Sequence, residues 1–162
     1  MRVSKRVVIV VASLLAVSIV VTSSPVAAGS CWDYKAKERR MARKINNART
    51  SRGLGKLRLD RHLSRVARVH TKAMTDTRQL FHTANLGSKV TRWTRLGENV
   101  GYGAGVKSLH RAFMRSSGHR ANILGRFRYV GVATRKAGGR LWTTIVFEHY
   151  RDPGTRLSMP SC

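Results

Sequence analysis

Two imidazoles and a carboxylate lie in three short polar stretches of this 162-residue chain. His82 closes Leu80-Phe81-His82, Glu98 sits in Gly97-Glu98-Asn99-Val100-Gly101, and His119 sits in Ser117-Gly118-His119-Arg120-Ala121-Asn122-Ile123-Leu124. Neutral imidazoles ligate Zn²⁺, and a carboxylate beside them either joins the ligand set or takes a proton from water. The glycines around Glu98 and His119 predict loops or helix ends, where functional groups are usually presented. The three side chains are therefore read as the lining of a cleft, with Asn122 as its hydrogen-bonding brace. Two histidines alone bind a metal weakly. The plainer alternative has both of them hydrogen-bonded to loop backbone while Glu98 braces its turn.

Other titratable groups invite less. His70 falls on an apolar helical stripe and reads as a core or boundary residue, while His62 and His110 read as helix-surface residues. Glu148 alternates onto the strand face of Trp142 and Val146, a position open to a displaced second carboxylate. No Gly-x-Ser-x-Gly elbow, His-Glu-x-x-His helix or phosphate loop is present, so serine, zincin and P-loop chemistry are disfavoured.

The positioning elements follow from periodicity. Met41, Ile45 and Ala48 mark an amphipathic helix from Trp32 to about Arg52, ended by Gly53. Leu54 to Leu59 is a short connection. Asp60 is a good N-cap for a second helix reaching about Thr77, with Leu63, Val66, Ala67, His70 and Met74 on one side. From Arg78 to Gly105 the period fails, which predicts a long irregular segment. Val106 to about Ser116 resumes a helix that Ser117-Gly118 breaks. Tyr129 to Arg135 and Leu141 to Tyr150 read as an antiparallel hairpin turning through Ala137-Gly138-Gly139, followed by an irregular tail.

Arg2, Lys5 and Arg6 precede an uncharged run from Val7 to Val21, and small residues at Val26 and Ala28 suit a cleavage site. Residues 1–28 are thus expected to be a signal peptide and 29–162 a single domain, secreted or extracellular; a retained N-terminal anchor is the alternative. Export would place Cys31 and Cys162 where disulfides persist, and pairing is expected, against two free or intermolecularly paired thiols. Without the first 28 residues the chain carries 29 basic and 7 acidic side chains, a net charge of +22. Such a surface attracts anionic envelope polymers or lipids through salt-sensitive contacts, or is simply solvated. No nucleic-acid motif interleaves the charges with stacking aromatics, so no specific nucleic-acid recognition is expected.

Taken in order, Ile45-Asn46-Asn47-Ala48-Arg49, Leu57-x-Leu59-Asp60-x-x-Leu63, Ala67-x-x-His70-x-x-x-Met74, Phe81-His82 and Gly97-Glu98-Asn99-Val100 form the first part of a family pattern. Phe113-Met114-x-Ser116-x-Gly118-His119-Arg120-x-Asn122-Ile123-Leu124, Val130-Gly131-Val132-Ala133 and Leu141-Trp142 complete it. The set resembles the CAP superfamily of cysteine-rich secretory, antigen 5 and pathogenesis-related 1 proteins, in its secreted bacterial branch. The resemblance implies an α+β fold, an α-β-α sandwich with a cleft lined by two histidines and acidic residues and sometimes occupied by zinc. His82 and His119 match the cleft histidines and Glu98 the first cleft glutamate. Phe113 and Ser116 stand where larger relatives carry a tryptophan and a second glutamate, which removes a proton-transfer partner. The first functional expectation is a binding module for a polar ligand or divalent metal. The second is a zinc-dependent peptidase or esterase with metal at His82 and His119 and Glu98 as base, and the third is a purely electrostatic polyanion binder.

Overall fold

The computed structural model describes residues 32–160; the expected signal peptide and both cysteines of the expected disulfide lie outside that range. In chain order the elements are α1 (Ala36–Thr50), β1 (Arg58–Leu59), α2 (Arg61–Thr77), α3 (Leu86–Lys89), β2 (Val90–Thr91) and β3 (Leu96–Gly103). Then follow α4 (Val106–Arg115), α5 (Ser117–Leu124), β4 (Tyr129–Ala137), β5 (Arg140–Glu148) and β6 (Gly154–Thr155). The expected α+β fold is present.

A four-stranded sheet in the order β1-β4-β5-β3 forms the middle layer, antiparallel except for the parallel β1–β4 pair. Alternation along its strands gives it two apolar faces. Against one face, Met41 and Ile45 of α1, Leu109 and Phe113 of α4 and Ile123 of α5 pack on Val130, Val132, Ile145 and Phe147. Against the other, Leu63, Val66 and Ala67 of α2 pack on Ala133 and Val146, and Met74 packs with Val100 and Trp142. The layers are therefore α-β-α.

Local chemistry sets the boundaries. The Asp60 carboxylate accepts from Leu63 N at 2.9 Å, capping α2 as read from sequence. Arg78, at φ 54°, closes that helix in the left-handed region. Gly138 and Gly139, at φ 54° and 69°, supply the two positive dihedrals of a tight hairpin turn. β4 pairs with β1 only at Tyr129 and Val130; beyond them Ser64 Oγ of α2 takes the next outward amide, Val132 N, at 3.1 Å. The irregular reading of 78–105 is corrected by α3, β2 and β3, and the tail contributes β6, which pairs with β2. The break expected at Ser117-Gly118 falls at Ser116, whose extended backbone (φ −83°, ψ 125°) redirects the chain before α5 resumes the helix.

Candidate functional site

β3 is an edge strand, and consecutive residues on it point to opposite faces of the sheet. Glu98, opposite Val146, lies on the α2 face; Asn99, opposite Ile145, lies on the face of α1, α4 and α5. The site is built around this edge from both sides.

On the first side, Glu98 grips the loop that follows α2. Its Oε1 accepts from Thr83 N at 2.9 Å and His82 Nδ1 at 2.8 Å, and its Oε2 accepts from the Thr83 hydroxyl. The Glu98 side chain is 6 % exposed and that of His82 is 65 % exposed. A carboxylate can only accept, so His82 Nδ1 carries a proton in this contact, and in the neutral ring the Nε2 lone pair is left available on a side chain open to solvent. Buried His70 donates from Nε2 to Phe81 O at 2.8 Å and packs edge-on against the Phe81 ring, tying the residue before His82 to α2.

On the second side, α5 presents His119. Asn99 Nδ2 donates to His119 O at 2.9 Å, and Asn122 Nδ2 donates to Asn99 Oδ1 at 2.9 Å and Glu98 O at 3.1 Å. Asn122 thus bonds to both Glu98 and Asn99 of β3. The His119 ring packs on Phe113, with centroids 4.8 Å apart. Burial first, and repulsion from His82 second, hold the His119 pKa below the ordinary 6.5. In an NMR titration its midpoint is expected below 6.5 and should rise, without fully recovering, in His82→Ala, because the smaller cause is removed and burial stays. An unchanged midpoint in that variant would show that the two rings do not sense each other.

His119 borders a groove of about 320 Å³ lined mainly by Leu80, Val100, Tyr102, Leu109 and Phe113. Leu80 and Tyr102 are exposed at its margin. This apolar neighbour of the polar cleft was not legible in the sequence, and neither were Thr83 and Asn99, whose types are too common in loops to stand out. Glu148 lies on the face of Trp142 and Val146 as alternation requires, but it hydrogen-bonds to none of the three cleft residues. His62 and His110 are half-buried on α2 and α4.

The donor set bears on the zinc implied by the resemblance. Both Glu98 oxygens are engaged by Thr83 and His82, leaving two imidazoles, one short of the three protein ligands typical of a catalytic zinc. Among the described residues, no three His, Cys, Asp or Glu side chains gather into a metal-binding group. The residues present therefore do not fit a three-ligand zinc centre.

Comparison with known proteins gives concordant matches. The profile of the CAP family, described as the cysteine-rich secretory protein family, matches residues 42–147. Protein YkwD of Bacillus subtilis is 30 % identical over 118 residues, covering 67 % of this chain and 46 % of its own length, so the chain spans under half of that relative. In structure, an outer surface protein of Borrelia burgdorferi aligns with a TM-score of 0.67 at 16 % identity, covering 74 % of this chain and 97 % of its own. An extracellular protein of Bacillus anthracis containing an SCP domain aligns with a TM-score of 0.62 at 21 % identity, over 70 % and 40 % of the two chains. At these identities the structural likeness is one of fold.

Proposed function

Because the chain belongs to the CAP family of cysteine-rich secretory proteins, we propose that it is an exported binding protein whose cleft at His82, Glu98 and His119 holds a polar ligand or divalent cation. Export is supported by the signal-like residues 1–28 and by relatives described as extracellular or outer-surface proteins. The basic surface expected from the net charge would keep the protein near anionic envelope polymers or lipids.

The observation that carries this reading is an exposed imidazole oriented by a buried carboxylate, beside a second imidazole whose pKa burial lowers. Two lone-pair nitrogens can accept from a polar group or hold a cation. The adjoining groove would take an apolar portion of the same ligand along Leu80, Tyr102 and Phe113. Binding is favoured over hydrolysis because Glu98, the candidate base, already commits its oxygens to Thr83 and His82.

The test is a calorimetric Zn²⁺ titration of the full chain beside His82→Ala and His119→Ala at neutral pH and moderate salt. Weak but saturable binding by the parent, lost in both variants, is the expected result for a shared two-histidine site. Binding indifferent to both substitutions would overturn the histidine site. Should hydrolysis of an envelope peptide or ester be detected and disappear in Glu98→Gln, the hydrolase reading would replace the binding one.

A further inference from the structure

At the opposite edge of the sheet, a groove of about 480 Å³ is lined by Arg49, Lys56, Arg58, Arg128 and Arg151, with Phe127 and Tyr129 as its apolar part. Among the described residues no acidic side chain lines it. Three acids stand near it in sequence: Asp60 caps α2, Asp152 pairs with Arg92, and Glu148, the strand partner of Tyr129, is fully buried on β5 and does not line the groove. Lys56, Arg58, Arg128 and Arg151 are exposed, and among the described residues none of the four pairs with a carboxylate.

The cations are held together by backbone, not gathered by chance on flexible loops. Arg58 N donates to Arg128 O at 2.9 Å and Arg128 N donates to Glu148 O at 2.9 Å, while Tyr129 is the strand partner of Arg58. The Tyr129 hydroxyl donates to Arg151 O at 2.5 Å, which fastens the segment after β5 to the same edge. Buried Arg49 forms the back wall, donating to the carbonyls of Gly55, Ile123 and Gly125 at 2.8 to 3.0 Å. Like charges that line one groove repel, and an anion among them relieves that repulsion.

We propose that this groove is a binding site for a phosphate ester, separate from the histidine cleft. Guanidinium forks match the paired oxygens of a tetrahedral phosphate, and three exposed arginines converge here with a lysine. Nucleobases are a poor match, because neither ring offers a face for stacking. Phe127 is buried against Phe147, and Tyr129 carries the Arg58 guanidinium on its ring while packing against the cluster beneath α2. Three strand spacings, roughly 14 Å, separate β1 from β3, so this site does not depend on the cleft's chemistry. The phosphate can belong to a polyol-phosphate chain or to an anionic phospholipid headgroup, which share the recognised group.

The experiment measures binding of the full chain to a poly(glycerol phosphate) oligomer, to phosphatidylglycerol vesicles and to polyglutamate of matched charge, at about physiological salt. Two groove variants, Arg128→Gln/Arg151→Gln and Lys56→Gln/Arg58→Gln, are compared with Arg40→Gln/Arg43→Gln, which removes the same charge from exposed positions on α1. Each groove pair should weaken phosphate binding about tenfold or more and the α1 pair less than about threefold, as expected when close charge-assisted contacts are lost and distant charge is screened. Losses confined to the oligomer identify the polymer as the source, and losses on vesicles identify the lipid. Equal losses in groove and α1 variants, or a polyglutamate loss as large as the phosphate loss, would overturn the site. Two independent pairs keep the test decisive should one variant fail to fold.

Discussion

Replacing Glu148 with Gln is expected to raise the urea midpoint at pH 8 and leave it nearly unchanged at pH 4. Glu148 ends β5, between Leu96 of β3 and Tyr129 of β4, fully buried, and neither of its oxygens has a hydrogen-bond partner among the described residues. Burial, aided by repulsion from Asp60 and Asp152 and opposed by Arg92, pushes its pKa from 4.5 up to about 7. Below pH 4.5 folded and unfolded chains both hold this proton. Between 4.5 and 7 the unfolded chain releases it while the folded chain does not, so stability falls as pH rises through that window and stays low above it. At 1.36 kcal/mol per pKa unit the loss is about 3 kcal/mol. Gln does not titrate, and its buried amide costs the same at every pH. The stability difference between variant and parent should therefore grow by about 3 kcal/mol from pH 4 to pH 8. A difference independent of pH would mean that Glu148 titrates like an exposed glutamate.

Helices α1, α2 and α4 were legible because their apolar spacing and caps are local signals, Met41 and Ile45 on α1, Asp60 ahead of α2, Leu109 and Phe113 on α4, whereas the short α3 and α5 carry no such stripe. The β4–β5 hairpin was legible for the same reason, through β-branched runs around paired glycines. β3 was not, because its glycines imitate a loop. They are instead a requirement of close packing: a Cβ on Gly97 would come within 2.7 Å of Asn122 Oδ1, and one on Gly101 within 3.0 Å of Phe113. That requirement belongs to α4 and α5 and cannot be seen from the strand's own sequence. The three cleft residues stood out by type, but the groups that orient them did not. Thr83 matters through its backbone amide as much as its hydroxyl, and His70 acts on a carbonyl one residue before His82. The phosphate groove was equally hidden, since its cations come from four separate segments joined by pairing of β1 with β4 and the hydroxyl of Tyr129.

Asn99→Ala should cost about 3 kcal/mol and loosen the cleft from its floor. Asn99 is fully buried and couples both walls: its amide donates to the His119 carbonyl and its oxygen accepts from Asn122, which also holds the Glu98 carbonyl. Truncation deletes two hydrogen bonds, each worth about 1 kcal/mol net, and strands an acceptor and a donor at the further cost of burying them unpaired. Because Asn99 and Asn122 act through one another, their losses should not add. A double-mutant cycle with Asn122→Ala is expected to give a coupling energy of about 1 kcal/mol or more, and strict additivity would show that the two amides brace the site independently. The consequence for His119 separates bracing from bulk stability. Under conditions where the variant remains folded, release of the α5 turn should let the ring leave Phe113, and its NMR midpoint should climb toward 6.5. A midpoint that stays low while stability drops would assign Asn99 to the core alone and leave the placement of His119 to α4 and α5.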